Sequence, residues 1–199
     1  MKKFMAVSFL FLFSACSYIG TIYNVGSKVG AIVMDERDFD DDWKDSQINL
    51  TIRKEFAKTK FAYLTDVEIT VFEGDVMLNG AIPNIDNIDE ILELVWNVDG
   101  VQRVYNYLRL EKPSDFTKTT QDALIAASIR TQLSLTQGIT SVNYKITVDD
   151  SIVYMLGIAK DEKEYAAVLL AIQSTDGVQK VISNVRYSYE NNAKNESEK

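Results

Sequence analysis

Cys16 is the one cysteine in 199 residues, and the chain has no histidine. A thiol is the strongest nucleophile among the common side chains. Without histidine, however, neither a Ser-His-Asp nor a Cys-His catalytic system can be assembled. The commonest general base and the commonest metal ligand are missing for the same reason. The carboxylates of Asp40-Asp41-Asp42 are contiguous. A calcium loop wants them at alternating positions around a glycine turn, so no metal and no cofactor is expected. A carboxylate pair could do acid–base chemistry without histidine. No pair here sits in a recognisable pocket motif, and the chain is not expected to be an enzyme.

What remains is Cys16 and its setting. Met1-Lys2-Lys3 is a short basic start, Phe4 to Phe13 is an apolar run without charge, and Ser14-Ala15 follow at once. This is the pattern of a signal peptide over residues 1–15. The run of about 10 residues is too short for a membrane-spanning helix, which needs about 20. Leu12-Phe13-Ser14-Ala15-Cys16 resembles the lipobox of bacterial lipoproteins. The resemblance implies cleavage before Cys16 and acylation of its thiol, palmitate being among the chains attached. Each buried CH₂ contributes about 0.8 kcal/mol, so two or three chains anchor stably. Ser17 is similar to the residue that, in such lipoproteins, accompanies export to the outer membrane. The implied location is its periplasmic face. After acylation no thiol is left for a disulfide, and the fold must stand on its core.

Removing residues 1–15 takes away two lysines and no acid, moving the formal charge from −8 to −10. Nucleic-acid affinity comes from Lys and Arg neutralising phosphates, so no nucleic-acid partner is expected.

The elements that carry these residues are written twice. Asp99-Gly100-Val101-Gln102-Arg103-Val104 returns as Asp176-Gly177-Val178-Gln179-Lys180-Val181, an offset of 77. The same offset aligns Ile52-Arg53 with Ile129-Arg130, Ile69-Thr70-Val71 with Ile146-Thr147-Val148, and Gly80 with Gly157. Without a gap, residues 46–109 share about sixteen identities over roughly 64 positions with their copies.

Each copy opens on a helical pattern, through Ile48, Leu50, Ile52 and Phe56 in the first and Leu124, Ile125, Ile129 and Leu133 in the second. Asp45 and Asp122 stand before these stretches as expected N-caps. Alternation through Val67, Ile69 and Val71 predicts a half-buried strand. Glu73-Gly74-Asp75 and Asp149-Asp150-Ser151 are turn compositions, and Val76–Gly80 and Val153–Gly157 are the return strands. A second amphipathic helix follows, from Ile85 to Val98 and through Tyr165, Val168, Leu169 and Ile172. Asp-Gly ends it, and a last strand runs over 101–110 and 178–189. Val101, Val104 and Leu108, with Val178, Val181 and Val185, are expected to be buried. The predicted class is α+β, in the order α-β-β-α-β twice, each unit a three-stranded sheet on two helices. Units of about 65 residues are small for isolated cores, so the two are expected to bury surface against each other.

This unit resembles the BON domain of bacterial envelope proteins. The markers are the strand pair ending at Leu78-Asn79-Gly80 or Met155-Leu156-Gly157, the helix after it, and the closing Gly-Val-x-x-Val of residues 100–104 and 177–181. With the lipobox, the chain is similar to dual-BON outer-membrane lipoproteins. Its expected parts are a lipidated Cys16 with a linker over 16–45, a first domain over 46–111, a linker over 112–121, a second domain over 122–189 and a disordered tail over 190–199. Tyr18 to Met34 reads as a flexible or membrane-hugging tether. The resemblance implies a non-enzymatic module that binds phospholipid and supports outer-membrane integrity, in some members at division sites. A module that binds another envelope protein through its acidic surface is the alternative.

In the resembling lipoproteins the first helix of the second domain touches lipid with an aromatic and basic residues. The matching stretch runs from Leu124 through Ile125 and Ser128 to Arg130. Leu124 stands where the aromatic is expected, and Ser128 where a basic residue is. Leu124 reads equally as a core residue or as one inserted among headgroups. The segment Ala123 to Gln132 contains no acid, a local relief in an acidic chain. Trp96 is a weaker candidate that reads more readily as packing at a domain joint.

Overall fold

A computed structural model of the chain describes residues 39–112 and 116–188. Cys16, the tether at 18–34 and the tail at 190–199 lie outside the described residues. The first domain runs α1 (Phe39–Thr59), a short α2 (Ala62–Asp66), β1 (Val67–Phe72), β2 (Asp75–Ile82), α3 (Ile85–Trp96) and β3 (Arg103–Leu110). The second runs α4 (Phe116–Leu135), a 3₁₀ turn at Ser141–Asn143, β4 (Tyr144–Asp149), β5 (Ile152–Ala159), α5 (Glu162–Gln173) and β6 (Lys180–Tyr187). Adding 77 to the bounds of β1, β2, α3 and β3 gives those of β4, β5, α5 and β6. Gly80 and Gly157 fall at the same place in equivalent strands, and Gly100 and Gly177 after equivalent helices.

Each sheet has three strands with the hairpin's second strand in the middle: β1-β2-β3 and β4-β5-β6, antiparallel in the hairpin and parallel across the last pair. Both helices of a domain cover one face. Ile48, Ile52 and Phe56 of α1 and Ile88, Ile91 and Val95 of α3 meet Val67, Ile69, Val76 and Leu78 in the first core. Ile125, Ile129 and Leu133 of α4 and Val168 and Ile172 of α5 repeat this in the second. Asn84 and Asp161, 77 residues apart, cap α3 and α5 by accepting from the amides of Asp86 and Glu164.

The opposite faces of the two sheets pack on each other. Phe72, Met77, Tyr154, Leu156 and Ile158 are buried between them, with Tyr105, Tyr107, Ile152 and Ile182 at the margin. The layers therefore run helices, sheet, sheet, helices. The contacts follow an approximate local twofold. Thr70 meets its own copy Thr147, hydroxyl to hydroxyl at 3.0 Å, and the Tyr107 hydroxyl donates to its counterpart position, Asn184. Arg186 pairs with Glu73, while its counterpart Arg109 pairs with Asp149. Small cores thus gain a shared third layer, as the size of each unit requires.

Three expectations need correction. Asp45 and Asp122 are not N-caps, because α1 starts at Phe39 and α4 at Phe116, several residues earlier. Helix α1 thus begins within residues 16–45, and α4 within residues 112–121. The two carboxylates instead face the hairpin turns. Asp45 accepts from the amides of Glu73 and Gly74, and Asp122 from those of Asp150 and Ser151. These turn residues have positive φ: 49° and 75° in the first hairpin, 53° and 62° in the second. Such a turn suits glycine, and the carboxylate offsets the strain where Ser151 replaces Gly74. Asp122→Ala should destabilise by about 2–3 kcal/mol through loss of two charge-assisted bonds. Ser151→Gly should regain about 1 kcal/mol, and thermal melts of the two variants check both signs.

The third correction concerns Val101, Val104, Leu108, Val178, Val181 and Val185, which are half-buried rather than buried. They lie on or just before β3 and β6, which are edge strands, and pack against the rims of the two cores. Leu50 also leaves the core pattern and is 65% exposed.

Candidate membrane-contact site

Helix α4 buries Ile125, Ile129 and Leu133 at spacings of four, and its other side faces solvent. Leu124 is 68% exposed and Leu135 80%. The core alternative for Leu124 is therefore excluded. Ser128 and Thr131 lie between the two leucines along the same stripe, both exposed. From Ala123 to Val148 the sequence has no acid and only Arg130 and Lys145 as basic residues. The stripe is mildly apolar and uncharged.

The predicted set does not stay together. Ile125 is 5% exposed and packs in the core, against the glycine at 177 that would collide with it if it carried a Cβ. Six helical residues rotate Arg130 roughly 120° away from Leu124. Its guanidinium donates to the carbonyl of Ile146 at 2.8 Å, on the flank of the edge strand. In the first domain Asn49 makes the equivalent bond to Ile69, and Arg53 donates to Asn49. Arg130 thus has a structural duty that its sequence position did not reveal. Trp96 is 53% exposed and is not part of the inter-sheet cluster, so it does not pack at the domain joint.

Arg130 also borders a cleft of about 380 Å³ between the domains, lined among others by Glu68, Asn79, Asp122, Thr147 and Asp149. Its carboxylates are committed. Asp122 holds the hairpin turn, Asp149 is paired with Arg109, and Glu68 accepts from the Thr147 hydroxyl. Desolvation pushes the Glu68 carboxyl above its usual value, opposed by that hydroxyl and by the charge of Arg130. The Asn79 carboxamide is buried there without a hydrogen-bond partner among the described residues. A polar recess of this size suits ordered water.

The reading of the sequence missed the outward face of α1. Trp43, Leu50 and Phe61 are 65%, 65% and 73% exposed, with Lys54, Ala57 and Lys58 exposed between them. The available signal was the run Arg53-Lys54-Glu55-Phe56-Ala57-Lys58-Thr59-Lys60, strongly basic within an acidic chain. Among the described residues no helix is long and apolar enough to cross a membrane.

The doubled three-stranded fold and its matched glycines define the class: this chain belongs to the BON-domain family, whose model matches residues 44–112 and 121–189. Among relatives, it is 30% identical over 146 residues to the protein of the gshII 5′ region of Anaplasma centrale, covering 73% of this chain and 95% of that one. It is 26% identical over 121 residues to the outer membrane lipoprotein DolP of Haemophilus influenzae, covering 61% of this chain and 62% of DolP. Among solved structures, CdsD, a structural protein of the type III secretion system of Chlamydia trachomatis, aligns over 75% of this chain and 97% of its own. That alignment has 13% identity and a TM-score of 0.33.

Proposed function

We propose that the chain is an envelope lipoprotein without catalytic activity, anchored through acylated Cys16 at the periplasmic face of the outer membrane. Its two domains lie against phospholipid and support the integrity of that membrane. The similarity to an outer membrane lipoprotein supports the class. The observation that carries the lipid reading is the exposure of Leu124 on a helix face without acid. The proposed contact runs through α4, with Leu124 and Ser128 toward the headgroups and Arg130 at the flank as the phosphate partner. One arginine near an anionic surface contributes only about 1 kcal/mol. Tethering raises the effective concentration of that surface, so a weak contact suffices to orient the domain.

Two measurements test this. Cys16→Ser should accumulate as an uncleaved precursor or move to the soluble fraction; continued lipid labelling of that variant would overturn the anchor. Leu124→Asp and Arg130→Glu should reduce vesicle binding and the hydrogen-exchange protection of α4 on membranes. If neither changes, binding of a protein partner through the acidic surface becomes the better reading.

A further inference from the structure

Residues 50–61 of the first domain carry Arg53, Lys54, Lys58 and Lys60 against one acid, Glu55, in a chain of formal charge −8. On a helix, positions 43, 50, 54 and 57 fall on one side. This side is opposite the buried Ile48, Ile52 and Phe56, and Phe61 stands at the corner after the helix. The stripe therefore presents Trp43, Leu50, Lys54 and Ala57, with Phe61 and Lys58 beside them. Lys58 pairs with Glu55 at 2.7 Å, so the lone acid is already neutralised. Lys60 donates to Asn87 of α3 and lies 5.4 Å from the ring of Tyr63, which fixes the corner. Lys54 has no ion-pair partner among the described residues.

The duplication separates what the fold needs from what it does not. The core positions 48, 52 and 56 keep apolar counterparts in Ile125, Ile129 and Leu133. Leu50, Lys54, Lys58 and Phe61 are matched by Ala127, Thr131, Leu135 and Gly138. The second domain adopts the same fold without this face, so neither its large exposed apolar groups nor its lysines are required for folding. Exposed aromatic and aliphatic groups interleaved with lysines are what an anionic lipid surface recognises: the ammonium groups meet phosphates and the apolar groups enter the headgroup layer.

We propose that the outward face of α1 and its corner, around Leu50, Lys54, Lys58 and Phe61, is an anionic-membrane docking face. This rests on the reading that the folded part contacts phospholipid. It adds a first-domain contact to the one proposed through α4. Among the described residues, α1 is also the first element after the proposed anchor at Cys16.

The test uses the unlipidated chain from Glu36 onward, which forms one compact unit. Vesicles of equal parts phosphatidylcholine and phosphatidylglycerol are compared with vesicles of phosphatidylcholine only. The intact sequence should bind the anionic vesicles and release in high salt. Each basic residue near such a surface is worth about fivefold in affinity, so Lys54→Gln with Lys58→Gln should weaken binding about 25-fold. Leu170→Ser, at an exposed position of α5, should leave it unchanged. Trp43 and Trp96 are the two tryptophans; with both changed to Phe, a reporter placed by Phe61→Trp should shift to the blue on anionic vesicles, and one placed by Leu170→Trp should not. Full binding by the lysine double variant, or no shift at position 61, overturns the site while leaving the lipid reading standing. No binding to either vesicle by the unsubstituted chain removes the lipid reading and this inference together.

Discussion

Gly80→Ala is expected to abolish folding of the first domain at ordinary temperatures, lowering stability by about 3–5 kcal/mol, near the upper limit for a single substitution. Gly80 sits in β2 at φ +138°, and a Cβ there would lie 2.0 Å from the carbonyl oxygen of Asp66. No rotamer change relieves a clash with backbone, so the entry to β1 must move. That entry is paired in register with Gly80 through Val67, and the shift would pull Val67 and Tyr63 out of the core. Gly157→Ala should behave alike, because its Cβ would lie 2.1 Å from the carbonyl of Asn143. Gly138→Ala is the control: its φ is +89°, but nothing lies within 4 Å, so only backbone strain of about 1 kcal/mol is expected. Denaturant melts of the three variants measure the difference. Comparable losses at 80 and 138 would show that conformation rather than collision governs these sites.

Asp75→Ala should cost about 3 kcal/mol, and the loss should shrink when its partner is changed as well. Asp75 is wholly buried and takes two bonds of 2.7 Å from the Arg103 guanidinium, with Arg186 of the other domain at 3.5 Å. That hydrogen bond is the main cause raising the Arg103 pKa above its ordinary value. The repeat supplies the comparison, since the counterparts of Asp75 and Arg103 are Ile152 and Lys180. The second domain thus occupies the same position with an apolar side chain. Asp75→Ile combined with Arg103→Lys should therefore recover most of the stability lost by Asp75→Ala. A double-mutant cycle should show coupling above about 1 kcal/mol. Additive losses would mean that Arg186, rather than Arg103, is the partner that matters.

The sequence by itself determined the duplication, the α-β-β-α-β order and the core. Period-two and period-3.6 patterns report burial directly, and Ile48, Ile52 and Phe56 with Ile125, Ile129 and Leu133 obey them because each helix has one face on a sheet. It also determined the matched glycines, since Gly80 and Gly157 recur where only a missing Cβ fits. The tertiary structure decided the rest. Asp45 and Asp122 look like caps because a carboxylate before an apolar helical pattern usually is one; only the fold brings the hairpin turn 28 residues away onto it. The edge position of β3 and β6 left Val104 and Val181 half-covered, which strand pattern cannot foresee. Leu124 and Ile125 are adjacent apolar residues, indistinguishable by composition, and the helix's rotation against β4 and β5 sent one outward and the other into the core. Arg130 and Leu124 parted for the same reason. The outward stripe of α1 was written in the sequence as lysines and large apolar residues. It became a surface only when packing showed which side of the helix had no partner.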